Sequence, residues 1–163
     1  MCAMGSLREH PVVQLFADAM RSYQAFIDDP PGKEFSRACL VHLTTLYGLW
    51  LRLPHVEPGE AKPERLSYPL SEKLSAAIGE RNAHWLVYNP FEEEAPVASS
   101  IYEDLTSIYE DLVPALVLFE RGDDDALQRA VWEWYFAMES HSGRHLVFAM
   151  TALHERLTDA GEG

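Results

Sequence analysis

The stretch SSIYEDLTSIYEDL at residues 99–112 decides the fold, because it repeats the hexapeptide SIYEDL after seven residues. Seven residues nearly complete two turns of an α-helix, so equivalent positions of the two copies lie on the same side. The apolar residues of the pattern follow one another at steps of four and three: Ile101, Leu105, Ile108, Leu112, Leu116 and Phe119. The repeat predicts one amphipathic helix over residues 99–120, since two heptads are too few for a coiled coil.

Local signals predict how this helix starts and bends. Ser99 or Ser100 is expected to cap the start, because Glu103 stands three residues after Ser100, as in a capping box. Pro114 lacks an N–H group and clashes with the carbonyl four residues earlier, which predicts a kink near Glu110.

The rest of the chain predicts more helices, joined by loops rich in proline, glycine and acidic residues. Helices are expected over residues 11–28, with Pro11 at the first position, over 33–53, over 70–80 and over 125–159. The second is apolar nearly all round and is therefore placed at the centre. Ser142-Gly143 is expected to bend or split the last helix. Residues 84–88 are read as an extended segment or a single turn, followed by an acidic loop.

These elements predict an all-α protein, a compact bundle of about five helices in a single domain of residues 9–160. Four of its prolines make residues 54–69 a Pro-rich loop. Residues 1–8 are expected to be a disordered N-terminus or a remnant of the expression vector. The two cysteines form no disulfide framework, and neither an 18-residue apolar run nor a signal peptide is present. A cytoplasmic location is therefore predicted.

The net charge of −13 is concentrated in the second half of the chain. Residues 1–81 contain nine Lys and Arg against ten Asp and Glu, whereas residues 82–163 contain four against sixteen. Such a field repels nucleic acid and anionic lipid and attracts cations or basic protein surfaces. Neither a nucleic-acid partner nor a membrane is therefore expected.

Four segments have sequences distinctive enough to compare with known protein families: LYGLWLRLP at residues 46–54, YNPFEEEAPVASSIYEDLTSIYEDL at 88–112, AVWEWYF at 130–136 and HSGRHLVFAMTALH at 141–154. Together they resemble a bacterial family known as domain of unknown function 5063. Members of that family usually have His-Trp-Gly where this chain has His141-Ser142-Gly143. The resemblance implies an all-helical fold and brings no catalytic residues with it.

The residues with the clearest potential for chemistry are His141 and His145, which are four apart and so face one side of a helix. Asp104 and Asp111, on one flank of the preceding helix, are the candidate partners. One hypothesis is a divalent metal held by these four side chains. A structural Asp–His or Tyr–His network, with Tyr109 on the other flank, is the second, and simple packing or surface roles are the third.

Trp134 and Arg144 complete the set of candidate binding or polar-network residues. Trp134 belongs to the cluster Trp132-Glu133-Trp134-Tyr135-Phe136, which is expected to lie mostly in the core, with any exposed ring serving as an interface anchor. Arg144 is one of the few cations in the acidic half, and an ion pair is the favoured interpretation.

The sequence contains no glycine-rich phosphate loop, no GxSxG and no CxxC pair, so no catalytic residue is assigned and no cofactor is expected apart from the divalent metal. The preferred function is binding of a protein partner through an acidic face formed by residues 92–125. A homodimer is an alternative assembly. The alternative functions are a metal-dependent, hydrolase-like enzyme with its Asp/His site between the last two long helices, and an acidic mimic of nucleic acid.

Overall fold

The computed structural model describes residues 7–159, and the expectation for residues 1–8 falls mostly on residues outside that range. The elements in chain order are a 3₁₀ turn (Leu7–Glu9), α1 (Pro11–Asp28), α2 (Phe35–Trp50), α3 (Glu72–Ile78), β1 (Ala83–Leu86), β2 (Val97–Ser100), α4 (Ile101–Arg121), α5 (Asp124–Ala137), a π turn (Met138–Ser142) and α6 (Gly143–Asp159). The all-α prediction is confirmed, with one small hairpin added. Within residues 7–159, no helix combines the length and the apolar character needed to span a bilayer.

Helix α4 is the centre of the bundle. It packs against α1, α3, α5 and α6, and all six residues of its predicted apolar stripe are buried. Ser100 is the N-cap, because its Oγ accepts the backbone N–H of Glu103 at 3.1 Å. The helix continues past Pro114 and ends at Gly122, whose φ of 78° is the left-handed conformation that favours glycine.

Helix α2 lies on the flank of the bundle, so its predicted central position is wrong. It packs against α1 and α6, but Val41 remains 60% exposed. The hydroxyls of Thr44 and Thr45 donate to the carbonyls of Leu40 and Val41 in the preceding turn, at 2.7 Å each. Because these hydroxyls are satisfied within the helix, this face needs no partner and stays in contact with solvent.

The last long helix is interrupted at the predicted place. The π turn at Met138–Ser142 separates α5 from α6, and Gly143 follows it directly. A Cβ atom at position 143 would collide with the carbonyl oxygen of Met138, so the π turn requires glycine here. The close approach of Gly143 to the Met138 carbonyl thus marks where the helix is interrupted. The interruption includes His141 and is followed closely by His145.

The hairpin was predicted only in part. β1 falls in the segment expected to be extended, but β2 runs from the end of the expected acidic loop into the predicted start of the helix at residue 99. The strands pair antiparallel, with His84 opposite Ser99 and Leu86 opposite Val97. Asn82 fastens the hairpin to α4, because its carbonyl and its side chain accept the N–H groups of Ile101 and Tyr102 at 2.9 Å. The register therefore holds His84 and Ser99 beside the first turn of α4.

Candidate functional site

A buried carboxylate, Asp104 on α4, is the centre of the site. Its side chain has no exposure to solvent. Oδ2 accepts from His84 Nε2 at 2.8 Å, while Oδ1 contacts His145 Nδ1 at 2.8 Å and Ser99 Oγ at 3.3 Å. Burying a carboxylate is costly unless partners replace its water. Two imidazoles and a hydroxyl, delivered by the hairpin and by α6, supply that replacement.

A second carboxylate extends the network towards solvent. Asp111 lies two turns further along α4, and its Oδ2 contacts His141 Nδ1 at 2.7 Å and Ser142 Oγ at 2.6 Å. His141 and His145 meet through their Nε2 atoms, which are 3.2 Å apart. The side chains thus form one continuous series that runs His84, Asp104, His145, His141, Asp111.

Four of the seven candidate residues are brought together: Asp104, Asp111, His141 and His145. These four side chains form an Asp–His network in which Asp111 and one oxygen of Asp104 contact the Nδ1 atoms of His141 and His145. Within residues 7–159, no group of three or more His, Cys, Asp and Glu side chains could hold a metal ion. The four-ligand metal set envisaged from sequence is therefore not assembled.

The other three candidates lie elsewhere. Tyr109 faces α1, where Gln24 donates to its hydroxyl at 3.3 Å, and burial raises the pKa of its phenol. Trp134 is fully buried in the core and donates its indole N–H to the Leu112 carbonyl at 3.1 Å. Arg144 is exposed, and among the described residues it has no acidic partner, so the favoured ion pair is not formed.

His84 and Ser99 are the site residues that sequence reasoning missed. Both reach Asp104 only because β1 and β2 pair in a register that places them opposite each other. The sequence did indicate that residues 84–88 are extended. It did not identify the strand that pairs with them or the register of that pairing, and both are needed to place His84 and Ser99 at Asp104.

A groove of about 720 Å³ opens beside this network, between the hairpin, the end of α2 and α6. Its walls are largely aromatic and aliphatic: Tyr47, Trp50, Trp85, Tyr88, Val147 and Phe148. His84 lines it as well, and so do Arg144 and Arg156. Half of the four cations of residues 82–163 therefore lie at one groove.

Two groove-lining residues carry buried donor atoms that lack an acceptor within residues 7–159. These atoms are Trp50 Nε1 and Arg156 Nη1. A buried donor without a partner costs about 1–3 kcal/mol relative to a satisfied one. These donors leave the residues of this groove with unused capacity for hydrogen bonds to an acceptor.

The acidic half does not present one continuous free face. Asp125 accepts the backbone N–H groups of Glu60 and Ala61 at 2.8 and 2.7 Å, and thereby holds the Pro-rich loop. Glu110 is half-buried and accepts the N–H of Tyr68 at 2.7 Å. A mimic of nucleic acid requires these acids to be regularly spaced and exposed, and Glu110 fails that requirement.

The tip of the hairpin carries one run of exposed acids, while others, such as Glu103, Glu120 and Asp124, lie on or beside the helices. Glu92, Glu93 and Glu94 are all exposed, and Phe91 beside them has 94% of its surface accessible.

Comparison with known proteins gives a family and a fold. The family model described as "Domain of unknown function (DUF5063)" matches residues 8–159. The crystal structure of protein BF1032 from Bacteroides fragilis is similar, with a TM-score of 0.73 and 22% sequence identity over 92% of this chain and 94% of that chain. At this identity the likeness concerns the fold alone. None of the curated protein sequences matches the chain.

Proposed function

The chain belongs to the family described as a domain of unknown function, DUF5063, and we propose that it performs acid–base chemistry on a small organic anion bound in the groove. One observation carries this proposal. His84 lines the groove while its Nε2 contacts the fully buried Asp104 at 2.8 Å.

The Asp104–His84 pair has the chemistry of a general base. Because an ionised carboxylate only accepts, the proton of the contact belongs to Nε2, and the lone pair of a neutral imidazole is then on Nδ1. No residue of the described chain makes a hydrogen bond to Nδ1, and 13% of the side chain remains exposed. Asp104 would also stabilise the imidazolium formed when Nδ1 accepts a proton from the ligand.

The groove indicates the class of ligand. Small-molecule sites usually enclose about 300–1,000 Å³ with apolar walls and a few converging polar groups. This groove has a volume of about 720 Å³, and its walls carry several aromatic rings. Arg144 and Arg156 supply positive charge, and Glu139 and Glu155 also line the groove; because neither arginine forms an ion pair among the described residues, both remain available to an anion. The combination favours an organic acid or phosphate ester with an apolar, ring-bearing body.

Binding and proton exchange can be tested together with anilinonaphthalene sulfonate as an anionic, ring-bearing probe. Calorimetric titration near pH 7, in two buffers of different ionisation enthalpy, measures both affinity and protons taken up. We expect saturable one-to-one binding with proton uptake, because the sulfonate favours the charged form of His84.

Three variants make this test specific. Arg144→Gln, at an exposed residue, should weaken binding several-fold, whereas Arg121→Gln, at the far end of α4, should leave it unchanged. His84→Asn should still bind but take up fewer protons. Absence of saturable binding, or identical proton uptake in wild type and His84→Asn, would contradict the proposed function.

The tip of the hairpin supports a second candidate function, the binding of a protein partner that was preferred from sequence. Phe91 is nearly fully exposed beside three exposed glutamates, and an exposed aromatic ring with charged neighbours is typical of an interface anchor. The partner would present basic side chains around an apolar pocket.

A photo-crosslinking residue at position 95 tests this second candidate in a lysate of the source cells. A partner captured by the wild type and by Arg144→Gln, but lost when Phe91 is changed to Ser, would support it. Capture that is unaffected by Phe91→Ser would count against it.

A further inference from the structure

The contact between His141 and His145 has an unusual arrangement of donors and acceptors. Their Nε2 atoms are 3.2 Å apart. On the far side of each ring, Nδ1 contacts a carboxylate, at 2.7 Å for His141 with Asp111 and at 2.8 Å for His145 with Asp104. Each histidine ring is thus oriented by a carboxylate at Nδ1, while its Nε2 atom faces the Nε2 atom of the other histidine.

Counting protons shows that this arrangement is incomplete by itself. Ionised carboxylates only accept, so each Nδ1 carries the proton of its contact. Neutral imidazoles then have lone pairs on both Nε2 atoms, and these lone pairs face each other at 3.2 Å. Two facing lone pairs repel each other, so the contact is stable either when one ring carries a second proton and donates its Nε2–H to the other or when a metal cation lies between the two nitrogens.

We propose that His141 Nε2 and His145 Nε2 are two ligands of a divalent transition-metal ion of the Zn²⁺ class. Bonds of about 2.0–2.1 Å to zinc in tetrahedral geometry place two nitrogen ligands about 3.3 Å apart. The spacing observed here is 3.2 Å. Imidazole is a ligand that suits zinc, copper and nickel, whereas Mg²⁺ and Ca²⁺ prefer oxygen.

The surroundings are those of a metal-binding histidine pair. Such histidines usually donate their second N–H to a carboxylate, which fixes the tautomer and raises ligand basicity. Asp111 and Asp104 occupy those positions, so the carboxylates proposed as ligands from sequence orient the ligands instead. The side chain of His141 is 58% exposed, which leaves the other coordination positions accessible to water.

Two protein ligands make this an open site, in keeping with the absence of any larger ligand group within residues 7–159. Its affinity is expected to be below that of closed structural zinc sites, which have four ligands. The pair shares Asp104 with His84 through opposite carboxylate oxygens, but metal binding is measured without any ligand in the groove, so its failure is distinguishable from failure of the function proposed above.

The test is a calorimetric titration of chelator-treated protein with Zn²⁺, repeated with Mg²⁺ at the same concentrations. We expect one Zn²⁺ per chain and no saturable binding of Mg²⁺. His141→Ala should weaken binding of Zn²⁺ at least tenfold. Asp111→Asn should weaken it about 10–100-fold, the range typical of residues that orient metal ligands.

His154→Ala is the matched control, because His154 is an exposed histidine further along α6 and its loss should leave Zn²⁺ affinity unchanged. Circular dichroism verifies that each variant is folded. His141 carries the test in preference to His145, since loss of His145 would also remove a partner of the buried Asp104. Absence of saturable Zn²⁺ binding, or equal affinity in wild type and His141→Ala, would overturn the proposal and leave a shared proton between the rings.

Discussion

Asp104 has its carboxylate inside the protein, and its two imidazole partners belong to elements that are far apart in sequence. His84 comes from β1 and His145 from α6. The carboxylate therefore joins the hairpin and the last helix to the central helix. Removal of this carboxylate would leave its half-buried polar partners without an acceptor, which is how it contributes to stability.

We expect Asp104→Ala to lower the free energy of unfolding by about 2 kcal/mol, because it leaves the partly buried His84 and His145 without their acceptor. Asp104→Asn should cost less, because an amide keeps the shape and one acceptor oxygen. Urea denaturation at neutral pH measures both. Glu103→Gln is the control, since Glu103 is exposed on the same turn and should change stability by less than about 0.5 kcal/mol. An equal loss in Asp104→Ala and Glu103→Gln would contradict the structural role of Asp104.

At the scale of secondary structure, an element could be predicted when the contacts that determine it are made between residues close together in sequence. The stripe of α4, its Ser100 cap and the helix break at Gly143 follow from residues within a few positions of one another, and all three were predicted. The pairing of β1 with β2 joins segments with 10 residues between their nearest ends, and no local periodicity marks it. For that reason His84 was missed, while the histidines on α6 were found from their spacing of four.

The π turn leads to a prediction about two helical glycines. Gly143→Ala should destabilise the protein, because the new Cβ would collide with the backbone carbonyl of Met138, which has little freedom to move. Gly48→Ala in α2 should stabilise it by about 0.5–1 kcal/mol, since no atom lies within 4 Å of the new Cβ and alanine favours the helix. Thermal unfolding of both variants measures the difference. Stabilisation by Gly143→Ala would show that the π turn does not require glycine.

The Pro-rich loop is held by an acidic side chain, which explains part of the charge in the second half of the chain. Asp125→Ala removes the acceptor of the Glu60 and Ala61 N–H groups. We expect a loss of about 1–2 kcal/mol and faster amide hydrogen exchange at these two positions. Asp124→Ala removes the same charge from an exposed neighbour, and should not accelerate exchange there. Equal exchange rates in the two variants would mean that Asp125 does not fix the loop.

At the scale of the whole molecule, the core contains several weakly acidic groups that stay protonated in the folded state. Burial raises the pKa of Tyr23 well above its ordinary value, and it also raises the pKa of Cys39, Tyr68 and Tyr109. These groups come from α1, α2, the Pro-rich loop and α4. Their ionisation in the unfolded chain is therefore linked to the stability of the entire bundle.

The sign of this linkage predicts sensitivity to alkaline pH. A group with a raised pKa in the folded state contributes stability that is complete below its unfolded pKa, about 10 for tyrosine, and that is lost as the pH rises further. We therefore expect the free energy of unfolding, measured by urea denaturation, to fall steadily between about pH 9 and pH 11.

Tyr23→Phe tests the origin of that loss. Tyr23 is fully buried and donates to the Leu105 carbonyl at 2.7 Å, so the variant should be about 1 kcal/mol less stable near pH 8. Above pH 10 its stability should decline less steeply than that of the wild type, because one group that ionises only on unfolding has been removed. Tyr88→Phe, at an exposed ring, should follow the wild-type curve. If Tyr23→Phe ran parallel to the wild type through this range, the alkaline loss of stability would have to come from the other buried groups.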